Sequence, residues 1–211
     1  MKTEIETLMA QARIVPVLEI ERPEDAVPLA RALVEGGLAT IEVTLRTDTA
    51  LASIERIARD VPECTLGVGS IRDGAMLSAA RECGAQFGVS PGTSSALLDA
   101  IKSGGLPFLP GAATVSEAMT LWQAGFTFQK LFPASLLGGL AYLRAIGGPL
   151  PEVRFCPTGG ITAETAEDYL ALGNVIVVGG TWIAPRGAVA ERDWAGITAR
   201  ARAAAERKTP D

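Results

Sequence analysis

ATIEVTL (residues 39–45), TDTALASIERIARD (47–60) and TLGVGS (65–70) follow one another as a strand pattern, a helix pattern and a second strand pattern. The first is rich in β-branched residues and alternates apolar with polar side chains. The second places Ile54, Ile57 and Ala58 at helical spacing, and the third is a short apolar run broken by glycine. Two strands joined by a crossover helix lie parallel, because a helix returns the chain to the edge from which it left.

The same alternation recurs in both directions. Strand patterns stand at IVPVLEI (14–20), QFGVSP (86–91), LPFLPG (106–111), TFQKLFP (127–133), VRFCPTG (153–159) and NVIVVGG (174–180), roughly every 20–26 residues, the length of one βα unit. ERPEDAVPLARALVEGG (21–37) and SIRDGAMLSAARECG (70–84) carry helical spacing and end at glycine. Eight such units predict a single (β/α)8 TIM barrel spanning residues 1–211, with an extra N-terminal helix at 3–12 and a closing helix at 191–206. An open doubly wound sheet is the alternative, but no strand is followed by the G-x-G-x-x-G that opens its dinucleotide-binding versions.

Composition narrows the chemistry. The 211 residues are 48% hydrophobic with a formal net charge of −5, and the basic residues are scattered singly. Nothing resembles an electrostatic footprint for nucleic acid or anionic membrane, so small molecules are the expected partners. The opening MKTEIETLMAQARI has neither a cationic nor an apolar leader segment, and no apolar run is long enough to span a bilayer. The expected location is cytoplasmic. Cys64, Cys83 and Cys156 are odd in number and far apart, which predicts reduced thiols and no metal site. Histidine is absent, so chemistry falls to Lys, Glu, Asp, Tyr, Cys or a bound cofactor.

Two strands carry polar residues where a barrel is packed. In IEVTLRT (41–47), Ile41, Val43 and Leu45 share one face and Glu42, Thr44 and Arg46 the other; helices cover a barrel's outside, so the polar set faces the lumen. In TFQKLFPAS (127–135), Phe128, Lys130 and Phe132 share a face, with Gln129 and Leu131 opposite, and Lys130 is expected to enter the same lumen. One reading is a buried Lys130–Glu42 ion pair that only specifies packing. The other is catalytic: desolvation disfavours a charged amine, and a neutral amine attacks a carbonyl to form a Schiff base. Glu42 would then shuttle protons, and Arg46 would fork onto the carboxylate of an α-keto acid. After the last two strand patterns come PTGG (157–160) and GGT (179–181), glycine pairs beside Thr158 and Thr181 whose N–H groups can approach a phosphate.

EVTLRT (42–47), KLFPA (130–134), RFCPTGGI (154–161) and GGTW (179–182) together resemble the 2-keto-3-deoxy-6-phosphogluconate (KDPG) and 4-hydroxy-2-oxoglutarate (KHG) aldolase family, in order and across nearly the whole chain. The resemblance implies a class I aldolase that splits 2-dehydro-3-deoxy-6-phosphogluconate into pyruvate and glyceraldehyde 3-phosphate. It also implies cleavage of 4-hydroxy-2-oxoglutarate, no metal or cofactor, and a homotrimer. Residue by residue it implies Lys130 as Schiff-base nucleophile and Glu42 as acid/base. Arg46 and Ser70 would hold the pyruvate carboxylate, and Thr158, Gly159, Gly160, Gly180 and Thr181 the phosphate. Pro91 and Phe132 would wall the reacting centre. The chain departs from the family pattern at Ser70, where threonine is usual, at Ser135 in place of glutamate, and at Thr181 in place of serine. The alternatives are an aldolase for the galactonate epimer, a phosphosugar isomerase or epimerase on the same barrel, and a non-catalytic anion-binding barrel.

Overall fold

The computed structural model describes residues 4–9 and 12–206. Helix α1 (Glu4–Met9) comes first; then β1 (Ile14–Leu18), α2 (Ala26–Glu35), β2 (Thr40–Thr44), α3 (Ala50–Asp60), β3 (Thr65–Gly69), α4 (Gly74–Glu82), β4 (Phe87–Val89) and α5 (Ser95–Gly104) alternate. The second half continues with β5 (Phe108–Leu109), β6 (Gly111–Ala112), α6 (Val115–Gln123), β7 (Phe128–Leu131), α7 (Gly139–Gly147), β8 (Arg154–Pro157), α8 (Ala166–Leu170), β9 (Val178–Gly180), α9 (Arg186–Ala190) and α10 (Trp194–Ala205). Side-chain caps start several helices: Asp73 accepts from the Met76 N–H, Ser94 from Leu97, and Thr114 and Glu117 form a reciprocal capping box.

All strand pairs are parallel, in the orders β5-β4-β3-β2-β1-β9 and β6-β7-β8. The result is an α/β fold whose parallel sheet curves as a half-barrel. Isolated parallel bridges, Phe155 to Val175 and Thr158 to Gly179, run from β8 to the segment that ends in β9.

The fifth strand pattern, 106–111, is corrected by the structure. It divides at Pro110 into two two-residue segments, β5 pairing with β4 and β6 with β7. Proline has no N–H for the ladder, so the sheet breaks there, although the Pro110 carbonyl still accepts from Lys130 N at 2.8 Å. The last pattern also shortens, from 174–180 to Val178–Gly180. The N-terminal helix expected at 3–12 runs from Glu4 to Met9; residues 3, 10 and 11 lie outside the described residues, and Ala12 is not helical. The closing helix begins at Trp194, capped by Asp193.

Packing follows the alternation. Ile41 and Val43 join Leu29, Leu33, Ile54 and Ile57 in the layer between strands and helices. A separate cluster holds Val15, Phe87, Val89, Leu109, Phe128 and Cys156 together with Ile5 and Met9 of α1, so the helix lies against inward-facing side chains near the strands' N-terminal ends. Lys130 is two residues further along β7 than Phe128, on the same face and toward the C-terminal ends.

Candidate active site

β2 and β7 deliver the two charged residues. Lys130 Nζ donates to both oxygens of Glu42, at 3.0 and 3.1 Å, and the two residues are only 5% and 4% exposed. In register, Glu42 stands opposite Val17 and Gly67, and Lys130 opposite Gly111 and Cys156, so the pair joins strands of the two sheets. On the other face of β7, the Gln129 amide donates to the Ala118 and Phe126 carbonyls at 3.0 and 2.8 Å, tying the strand to α6.

A glycine makes room for the acid. A β-carbon on Gly69 would collide with Glu42 Oε1, so the carboxylate lies directly on the β3 backbone. Gly69 sits in the GVGS motif, but a contact between neighbouring strands leaves no mark in either strand's own pattern. Cys156 lies beside the pair; burial pushes its thiol up to about 11, with Lys130 opposing that shift.

Arg46 stands at the mouth. Its Nε donates to Ser70 Oγ at 3.1 Å and its Nη1 to Glu19 Oε1 at 2.9 Å. Ser70 adopts the left-handed conformation, φ +62°, uncommon for a residue with a side chain, which marks a backbone held by its surroundings. Glu19, at the end of the first strand pattern, went unrecognised in the sequence because its partners are distant in the chain.

The remaining expected residues gather at the same end of the sheet. The Phe132 ring centroid is 6.0 Å from Lys130 Nζ, at the outer limit for a cation over an aromatic face, and the ring also touches the space beside Gly159. Pro91 backs onto Gly111, the strand neighbour of Lys130. The Thr158 carbonyl accepts from Ala134 N at 2.9 Å and that of Gly159 from Ser135 N at 3.1 Å, so the loop after β8 adjoins the chain leaving β7. Gly160 has φ +73°, and Ser135 Oγ occupies the place of its missing β-carbon; both conformation and space require glycine there. Thr158 is buried with its hydroxyl turned toward its own strand, near the Cys156 carbonyl at 3.5 Å, whereas Thr181 is exposed beside Gly180. Among the described residues, no three His, Cys, Asp or Glu side chains are grouped to hold a metal ion.

A buried amine clasped by one carboxylate, beside a mouth that presents a guanidinium and a hydroxyl, is the equipment of an aldolase. The family described as KDPG and KHG aldolase matches residues 5–200, and the chain belongs to that family. It is 44% identical over 203 residues to the 2-dehydro-3-deoxy-phosphogluconate aldolase of Pseudomonas aeruginosa, covering 96% of this chain and 92% of the relative. It is 44% identical to the KHG/KDPG aldolase of Escherichia coli K12, over 97% and 96% of the two chains. A crystal structure of the Legionella pneumophila KDPG aldolase, with pyruvate captured at low pH as a covalent carbinolamine intermediate, superposes with a TM-score of 0.93 at 40% identity, covering 97% of this chain and 99% of that one.

Proposed function

We propose that this chain is a class I aldolase, a carbon–carbon lyase that cleaves 2-dehydro-3-deoxy-6-phosphogluconate to pyruvate and glyceraldehyde 3-phosphate, with Lys130 as its Schiff-base nucleophile. The observation that carries the reading is the enclosed Lys130–Glu42 pair, in a family whose Legionella pneumophila relative was captured with pyruvate as a carbinolamine. Lys130 passes one proton to Glu42, and its free amine attacks the C2 carbonyl. A second proton moves from nitrogen to the oxygen to give the carbinolamine, and the proton held by Glu42 then converts that hydroxyl to water, whose departure leaves an iminium. The resulting iminium draws electrons from the C3–C4 bond as the C4 hydroxyl loses its proton. The aldehyde departs, and the enamine left on the lysine is protonated at C3. Hydrolysis of the imine then releases pyruvate and restores the amine.

Arg46 and Ser70 receive the carboxylate in this reading. Ser70 Oγ accepts from Arg46 Nε, which leaves the serine's own hydrogen to donate to the substrate. Thr158, Gly159, Gly160, Gly180 and Thr181 receive the phosphate, and Pro91 and Phe132 wall the reacting carbon. 4-Hydroxy-2-oxoglutarate, cleaved to pyruvate and glyoxylate, presents a carboxylate to the same distal loops.

The finer architecture belongs to the same proposal. A closed (β/α)8 barrel in one domain is supported by the Thr158–Gly179 and Phe155–Val175 bridges between the ends of the two strand orders, with α1 as an extra helix beneath it. A homotrimer is supported by Val115, Met119 and Trp122, exposed apolar residues on one face of α6. A cytoplasmic location is in keeping with the absence, among the described residues, of any helix long and apolar enough to cross a membrane. The deciding assay couples pyruvate release to a dehydrogenase for the two epimeric phosphorylated ketodeoxy acids and for 4-hydroxy-2-oxoglutarate. The gluconate epimer is expected to give the highest kcat/KM; preference for the galactonate epimer would move the assignment to that substrate.

A further inference from the structure

Glu19 is shared by two arginines. Its Oε1 accepts from Arg46 Nη1 at 2.9 Å, and its Oε2 pairs with Arg186, the first residue of α9. The glutamate side chain is 12% exposed, while Arg46 and Arg186 are 43% and 71% exposed. Further contacts fix α9 over the turn after β1: Arg22 donates to the Ala190 carbonyl at 3.1 Å, and Asp25 pairs with Arg22 at 2.6 Å and Arg192 at 2.8 Å.

Ion pairs this exposed contribute little to stability. Their consequence lies in where they hold charge. Arg46 alone would be a formal +1 at the mouth. Pairing with Glu19 orients the guanidinium but cancels that charge, and Arg186 restores the three-residue cluster to +1. With Nε on Ser70 and Nη1 on Glu19, the Arg46 Nη2 remains to meet an incoming oxygen beside the Ser70 hydroxyl.

We propose that Glu19 is a positioning residue for Arg46, and that Arg186 sets affinity for the substrate carboxylate by restoring the positive charge Glu19 removes. The inference rests on the aldolase reading and adds two residues to its carboxylate end. It predicts an effect on saturation rather than on bond chemistry, because neither residue reaches Lys130.

The test is borohydride trapping of the full-length enzyme across pyruvate concentrations, read as the half-saturating concentration and the maximal trapping rate. Arg186→Gln leaves the cluster at zero, so half-saturation is expected to rise about three- to fivefold with the maximal rate unchanged, and the difference should shrink with added salt. Arg186→Lys should recover most of the loss. Glu19→Gln combined with Arg186→Gln returns the net charge to +1 without the carboxylate that holds Arg46; the rise it retains, about twofold, measures orientation and should be insensitive to salt. Wild-type trapping with variants that share its half-saturation overturns this inference alone. A wild type that forms no pyruvate adduct overturns the aldolase reading, and the inference with it.

Discussion

The carboxylate of Glu42 rests on the α-carbon of Gly69, with no room for a methyl group between them. Gly69 has an ordinary β-strand backbone, so alanine is conformationally allowed there, and its cost falls on the acid. Gly69→Ala is expected to push Glu42 off Lys130 and to lower kcat by about ten- to a hundredfold, the penalty for misplacing a catalytic group by about an ångström. KM should move little. Steady-state kinetics with wild-type values would show that Glu42 reaches the reaction from another position.

Pyruvate and borohydride together should inactivate the enzyme and leave one reduced adduct on the peptide containing Lys130. Lys130→Arg should be inactive, since a guanidinium remains protonated and is no nucleophile. An adduct on Lys102, located by mass spectrometry, would refute the assignment.

Glu42→Gln should cut turnover by about two to four orders of magnitude. Exchange of pyruvate methyl protons with solvent deuterium should slow in parallel, and near-normal exchange would remove Glu42 from the proton transfers. The same variant separates catalysis from packing: a pair kept only for structure would lose about 3–5 kcal/mol when one charge is removed, a loss visible in urea melts.

Thr181→Ala should lower kcat/KM for the phosphorylated ketodeoxy acid by about ten- to a hundredfold, as expected for one hydrogen bond to a charged group. The loss for 4-hydroxy-2-oxoglutarate should be smaller. Equal losses for both substrates would mean that Thr181 shapes the strand end and does not contact phosphate.

Cys64 supplies a pH test away from the site. Burial pushes its thiol from 9.0 up to about 12, with Glu63 adding to the shift. Below pH 9 both native and unfolded chains keep the proton and the stabilisation is complete. Between pH 9 and 12 the unfolded chain ionises first, so stability falls as pH rises, by about 1.4 kcal/mol per unit for this group. Cys64→Ala should flatten the decline measured by urea melts between pH 9 and 10.5; an unchanged slope would show that the thiol does not contribute.

Alternation made the inward polar face of β2 and the position of Lys130 legible, because strand periodicity is a local property. The break of the fifth strand was also written in the chain, as Pro110, but its effect of dividing the pairing between β4 and β7 depends on both neighbours. Gly69 and Glu19 escaped for a related reason. One accommodates a side chain from the adjoining strand, and the other gathers arginines that lie 27 and 167 residues further along. Such contacts follow from the strand order, which a single strand pattern does not specify.

Gln129 and Lys130 are adjacent polar residues that face opposite ways, and the observed alignment of β7 brings the amide to the Ala118 and Phe126 carbonyls and the ammonium to Glu42. A slip by one position would turn the neutral amide toward Glu42, leaving that buried carboxylate without its cation, and would drive the ammonium among the apolar side chains of the helices. β7 therefore carries a two-letter checksum: the nucleophile of the proposed reaction also proofreads the assembly of its own strand, and a misaligned chain is penalised before it can present a misplaced amine.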